Sequence, residues 1–127
     1  MSRWKLYNPN PERNRTIDCT IRAICKATGK DWDTVFVATS VYAFSFKDMQ
    51  TADYVWGAYL RQLGYKRYLV DDHDRYLYTV EDFCKDNPKG TYILSISGHV
   101  VCVQDGCYYD SWDSGKEIPI YYWTKGD

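Results

Sequence analysis

Apolar positions follow a helical period through the first half of the chain and alternate with polar ones in the last third. Residues 1–15 show neither pattern, carry Asn8-Pro9-Asn10-Pro11, and read as an irregular entry segment. A helix is predicted over 18–28: Asp18 stands at the N-cap, Cys19 falls in the first turn, and Gly29 follows the last turn. Ala23 and Ala27 succeed Cys19 at intervals of four, with Ile21 and Ile24 adding apolar surface, so one face suits close packing. Asp31 caps a second helix in which Trp32, Val35, Phe36 and Thr39 have helical spacing; 41–46 is aromatic and ambiguous. A third helix is expected over 51–63, with Tyr54, Val55, Ala58 and Tyr59 inward and Gly64 as its stop. A short strand over 65–70 and a polar loop at 71–75 precede a short helix that Thr79 opens and that ends before Pro88.

The last third reads as strands over 91–97, 98–104, 107–112 and 118–123. Asp105-Gly106 is the signal of a two-residue hairpin between the second and third of these. Helices followed by strands predict an α+β domain, with N-terminal helices packed on a C-terminal antiparallel sheet. At 127 residues the chain, 1–127, is one domain with no room for two full cores.

Composition narrows the function. Sixteen Lys plus Arg against seventeen Asp plus Glu give a net charge of −1, so no bulk field gathers phosphate backbones. No apolar run approaches the length of a membrane span, and the N-terminal segment lacks the apolar centre of a signal peptide. The expectation is a cytoplasmic protein with free thiols, and an odd count of five cysteines agrees.

Among those thiols Cys19 stands apart, because the first turn of a helix favours a thiolate, although the neighbouring Asp18 opposes it. A base is then required. His73 lies in a charged loop and reads as solvated, whereas His99 opens an apolar strand. A two-residue turn at Asp105-Gly106 pairs Gln104 with Cys107, Val103 with Tyr108, Cys102 with Tyr109, Val101 with Asp110 and His99 with Trp112. Side chains alternate along a strand, so His99, Val101, Asp110 and Trp112 share a face. Asp110 is then the diagonal neighbour of His99, Asp113 points away, and Trp112 can shield the pair from water. Nucleophile, base and a third group that orients the base form the logic of covalent acyl transfer.

These segments carry a resemblance. The helix DCTIRAICKATG resembles the nucleophile helix of papain-like cysteine peptidases, in particular the compact C39-like branch, in which an Asp-Cys pair begins that helix. Gly98-His99-Val100-Val101 resembles the histidine strand, and Asp110-Ser111-Trp112 resembles the Asn-Ser-Trp motif with Asp in place of Asn. The whole is similar to small papain-like proteins of phages and Gram-positive bacteria. The resemblance implies a papain-like fold and a cysteine hydrolase, peptidase or amidase, with a Cys19-His99-Asp110 triad and a thioester acyl-enzyme. It implies a peptide or protein substrate and no cofactor. The family's oxyanion-hole Gln falls at Arg13, beside Asn14, so the implied donors are the Cys19 N–H with Asn14 or Arg13. The Cys-Gly-Ser-Cys-Trp signature is absent.

Three other readings compete. A papain-like shell that lost activity and serves as an interaction module predicts an unperturbed Cys19 and a large exposed aromatic patch. A metal site at His99, Cys102 and Cys107 fails on register, since Cys102 faces away from His99, and structural zinc wants four converging ligands. Aromatic stacking on a nucleic acid through 61–75 is opposed by Asp71, Asp72 and Asp74, so no nucleic-acid partner is expected.

Overall fold

The computed structural model describes residues 2–70 and 77–125. The elements run β1 (Trp4–Leu6), α1 (Cys19–Thr28), α2 (Trp32–Phe46), α3 (Asp53–Gln62), β2 (Lys66–Leu69), α4 (Val80–Asp86), β3 (Thr91–Ile96), β4 (His99–Gln104), β5 (Cys107–Asp110) and β6 (Pro119–Thr124). The class is α+β. His73 and the polar loop at 71–75 lie outside the described residues.

The sheet corrects the expected topology. It has six strands in the order β1-β5-β4-β3-β6-β2, and it is mixed rather than antiparallel. The N-terminal segment, expected to be irregular, supplies β1, which runs parallel to β5 with Leu6 opposite Asp110. The helices also divide between the two faces. Val100, Cys102, Ile93 and Trp123 meet the core built by α1, α2 and α3. Leu94, Val101, Val103 and Tyr108 meet Val80, Phe83 and Cys84 of α4. This split follows from strand alternation: a sheet apolar on both faces must be covered on both.

Helix α1 is the centre of the first layer. Thr20 through Cys25 are all buried, because α2 covers one side and the sheet the other. Gly29 ends it in the left-handed conformation at φ 76°, as its place after the last turn predicts. Helix α2 runs through the ambiguous 41–46 stretch, and Asp31 caps it by accepting from the Thr34 N–H. Tyr54, expected inward, is 53% exposed, whereas Val55 and Tyr59, expected inward with it, are buried. Thr79 and Asp82 close a reciprocal capping box on α4.

The predicted hairpin forms in the predicted register. Gln104 pairs with Cys107, Val103 with Tyr108, and Cys102 with Tyr109. Asp105 at φ 50° and Gly106 at φ 78° both take the left-handed region that a type I′ turn demands. A Cβ on Gly106 would also sit 3.3 Å from an Arg3 guanidinium nitrogen. Gly106→Ala is therefore expected to cost roughly 1–2 kcal/mol, read as a lower urea midpoint at unchanged slope.

Candidate active site

The candidate residues sit at element ends that meet at one end of the sheet. Cys19 is the first residue of α1, His99 the first of β4, and Asp110 the last of β5. Packing of α1 across β3, β4 and β5 brings them together. His99 Nε2 lies 2.6 Å from Asp110 Oδ2. Cys19 and His99 line the same cleft, and the imidazole lowers the thiol. Trp112 lies against the His99 ring, with centroids 4.7 Å apart. The β4–β5 ladder stops at Cys102 and Tyr109, so the outer pairs of the predicted register lie beyond it, yet their side chains still converge. Asp113 points elsewhere, accepting from Tyr108 Oη and the Gly115 N–H.

Asp110 is fully buried and its carboxylate is saturated. Oδ2 takes His99 and the Ser114 hydroxyl, the latter at 2.6 Å. Oδ1 takes Arg22 Nη2 and the Ser111 N–H, each at 2.8 Å. The backbone oxygen of Asp110 accepts from the Tyr7 N–H and from Trp4 Nε1, so β1 anchors the acid's main chain.

Arg22 is the residue that sequence reasoning missed. It is buried, and its guanidinium forks between Asp110 and Asp18, whose Oδ1 is 2.7 Å from Nη1. Asp18 stands at the N-cap position but does not cap the helix with its side chain. Its carboxylate instead takes Arg22 and, at 2.9 Å, Trp32 Nε1. The signal was present as the four-residue spacing of Asp18 and Arg22. Ser114 and the Val100 N–H had no comparable signal.

Electrostatics follow from these contacts. Burial raises the Cys19 thiol, but the His99 hydrogen bond and charge, the Val100 N–H and the Arg22 charge outweigh it, and the thiol lies below its ordinary value. Burial disfavours the His99 imidazolium, yet hydrogen bonds to Asp110 and Cys19 lift it to about 9. Burial lifts Asp110 too, but hydrogen bonds from His99 and Ser114 hold the carboxyl below its usual range. By contrast burial pushes Cys25 and Cys84 up to about 12, and Cys102 up as well.

A cleft of about 350 Å³ opens beside the sulfur, lined by Cys19, His99, Ile17, Thr51 and Ile120 among others. Arg13 and Asn14 are exposed, and neither lines this cleft. The first N–H groups of α1 have no intrahelical acceptor and form the positive end of its dipole. Among the described residues, no group of three or more His, Cys, Asp or Glu is arranged to hold a metal, and no helix is long and apolar enough to cross a membrane. No protein-family model matches the chain, and comparison with curated proteins and with solved structures finds no match.

Proposed function

We propose that the protein is a cysteine hydrolase, and more particularly a peptidase or amidase with a compact papain-like fold, acting inside the cell on a peptide or protein. The observation that carries this reading is the His99–Asp110 contact of 2.6 Å at a cleft that His99 shares with Cys19. Its support is chemical: a lowered thiol beside a raised imidazole favours the thiolate–imidazolium pair that attacks acyl groups.

In this mechanism the Cys19 thiolate adds to an amide or ester carbonyl. The oxyanion that forms is met by the Cys19 N–H at the start of α1. The His99 imidazolium then gives its proton to the departing amine or alcohol, leaving a thioester on Cys19. His99, now neutral, takes a proton from water as the water adds to the thioester, and the carboxylic acid leaves as the thiolate is restored. Asp110 orients the ring and steadies its cation throughout. Trp112 covers the His99–Asp110 hydrogen bond.

The test is a burst experiment with the p-nitrophenyl ester of an acetylated peptide. A burst of about one nitrophenolate per protein is expected, with the acyl mass mapped to Cys19. Steady release without a burst and no adduct on Cys19 would overturn the reading.

A second reading, an inactive papain-like interaction module, draws on a different observation. Val37, Val41, Phe44 and Met49 are exposed on and just after α2, a helix with no charged residue between Asp33 and Lys47. That module has no need of a lowered thiol, which is why the hydrolase is preferred.

A further inference from the structure

We propose that the hollow between α1 and α2 is a specificity pocket that takes one bulky aliphatic or aromatic side chain of the polypeptide held against Cys19. The inference rests on the hydrolase reading and names its substrate class. The hollow measures about 220 Å³ and is walled by Ile17, Ile21, Trp32 and Phe36. That is room for one large side chain rather than for an independent ligand of drug size. Ile17, Thr20 and Thr51 line both this hollow and the cleft that holds Cys19 and His99, so the two adjoin.

The rim is dressed for an apolar guest. Ile17, two residues before the nucleophile, is 91% exposed. Phe36 is 39% exposed and stacks on Trp32 with centroids 4.9 Å apart. A single exposed aliphatic residue is ordinary. Ile17 and Phe36 together, at a hollow adjoining the Cys19 cleft, define a surface that a substrate side chain would remove from water.

The polar groups in the wall do not invite a charged guest. The Asp18 carboxylate is already engaged by Arg22 and Trp32. The Gln50 amide nitrogen is engaged by the Thr39 and Ser40 hydroxyls at 2.8 and 3.3 Å. A Lys or Glu side chain entering here would lose its hydration against a wall whose one charged residue, Asp18, is already paired. An occupant would instead lie against Trp32, whose indole N–H bonds Asp18, so that signal reports filling of the pocket.

The experiment uses the full chain carrying Cys19→Ala, to prevent turnover. It is titrated with acetylated, amidated Gly-Ser heptapeptides that bear Leu, Phe or Lys at each position in turn. The readout is NMR of the Trp32 indole N–H and the Ile17 and Ile21 methyls. Some Leu and Phe peptides are expected to shift these signals and to bind about tenfold or more tightly than the unsubstituted and Lys peptides. Phe36→Asp, and independently Ile17→Ser, should erase that difference. Lys peptides binding as well as Leu and Phe ones, or no shift at millimolar peptide, overturns the pocket. Alkylation of the wild-type thiol separates the two claims. An inert Cys19 with peptide binding retained removes the hydrolase and keeps the pocket. A reactive Cys19 without Leu or Phe preference removes the pocket and keeps the hydrolase.

Discussion

Iodoacetamide at pH 6 is expected to alkylate Cys19 far ahead of every other cysteine in the native protein. Alkylation needs the thiolate. The buried Cys25 and Cys84 thiols, pushed up to about 12, hold roughly one part in 10⁶ as thiolate at that pH. Cys19 lies below its ordinary value because His99 stands beside it. His99→Ala should therefore slow Cys19 alkylation at pH 6 by about tenfold or more, allowing for the weaker nucleophilicity of a more acidic thiol. Cys107, only partly buried, is the internal control. Mass spectrometry of the digested protein reads all five sites; modification of Cys107 or Cys84 ahead of Cys19 would remove the nucleophile assignment.

The same pair sets the pH window. The His99 pKa is raised from 6.5 to about 9, so its imidazolium is held by the fold. That contribution to stability is complete below 6.5 and is lost as pH rises through about 9. Acyl transfer needs the same proton for the leaving group, so turnover should fall on the alkaline side over that range. Cys19 alkylation should persist there, because the thiolate no longer shares its charge with the ring. A split between a falling turnover and a sustained alkylation rate distinguishes the ion pair from a lone acidic thiol.

The candidate site was legible to the extent that it is built from local rules. Asp105-Gly106 fixes a two-residue turn, the turn fixes the register, and alternation then carries His99 and Asp110 to one face. Cys19 was visible because a helix start is written in a few adjacent residues. What escaped was non-local. Strand β1 is three residues long, too short for its Trp4-Lys5-Leu6 alternation to stand out, and pairs with a segment about a hundred residues away, so nothing nearby announces it. Its placement nonetheless anchors the Asp110 backbone through Tyr7 and Trp4. The position of α4 on the second face depends on how many apolar side chains each face of the sheet presents, which emerges only once all six strands are ordered. Asp18 was read through its usual capping chemistry, but a buried guanidinium one turn along offered its carboxylate a stronger partner than a backbone N–H.

Arg22→Met is expected to destabilise the protein by about 3–5 kcal/mol, the cost of stranding buried carboxylates without their cation. Two acids depend on this one group: Asp18 is 6% exposed and Asp110 is not exposed at all. Arg22→Lys should recover only part of the loss, since an ammonium cannot present two parallel donors to carboxylates on different elements. Asp18→Asn placed on top of Arg22→Met should cost less than the sum of the two single changes, because it removes one of the stranded charges. Urea unfolding measures the four variants against the wild type. A purely structural Arg22 would leave the site's titration unmoved, whereas a positioning role would not. The Arg22 charge helps hold the Cys19 thiol low and the Asp110 carboxyl below its usual range. Arg22→Met, which removes that charge, should therefore shift the acid limb of Cys19 alkylation to higher pH, and Arg22→Lys, which keeps it, should shift the limb less. An unshifted limb together with a large loss of stability would confine Arg22 to the core and leave His99 and Asp110 to orient the thiol unaided.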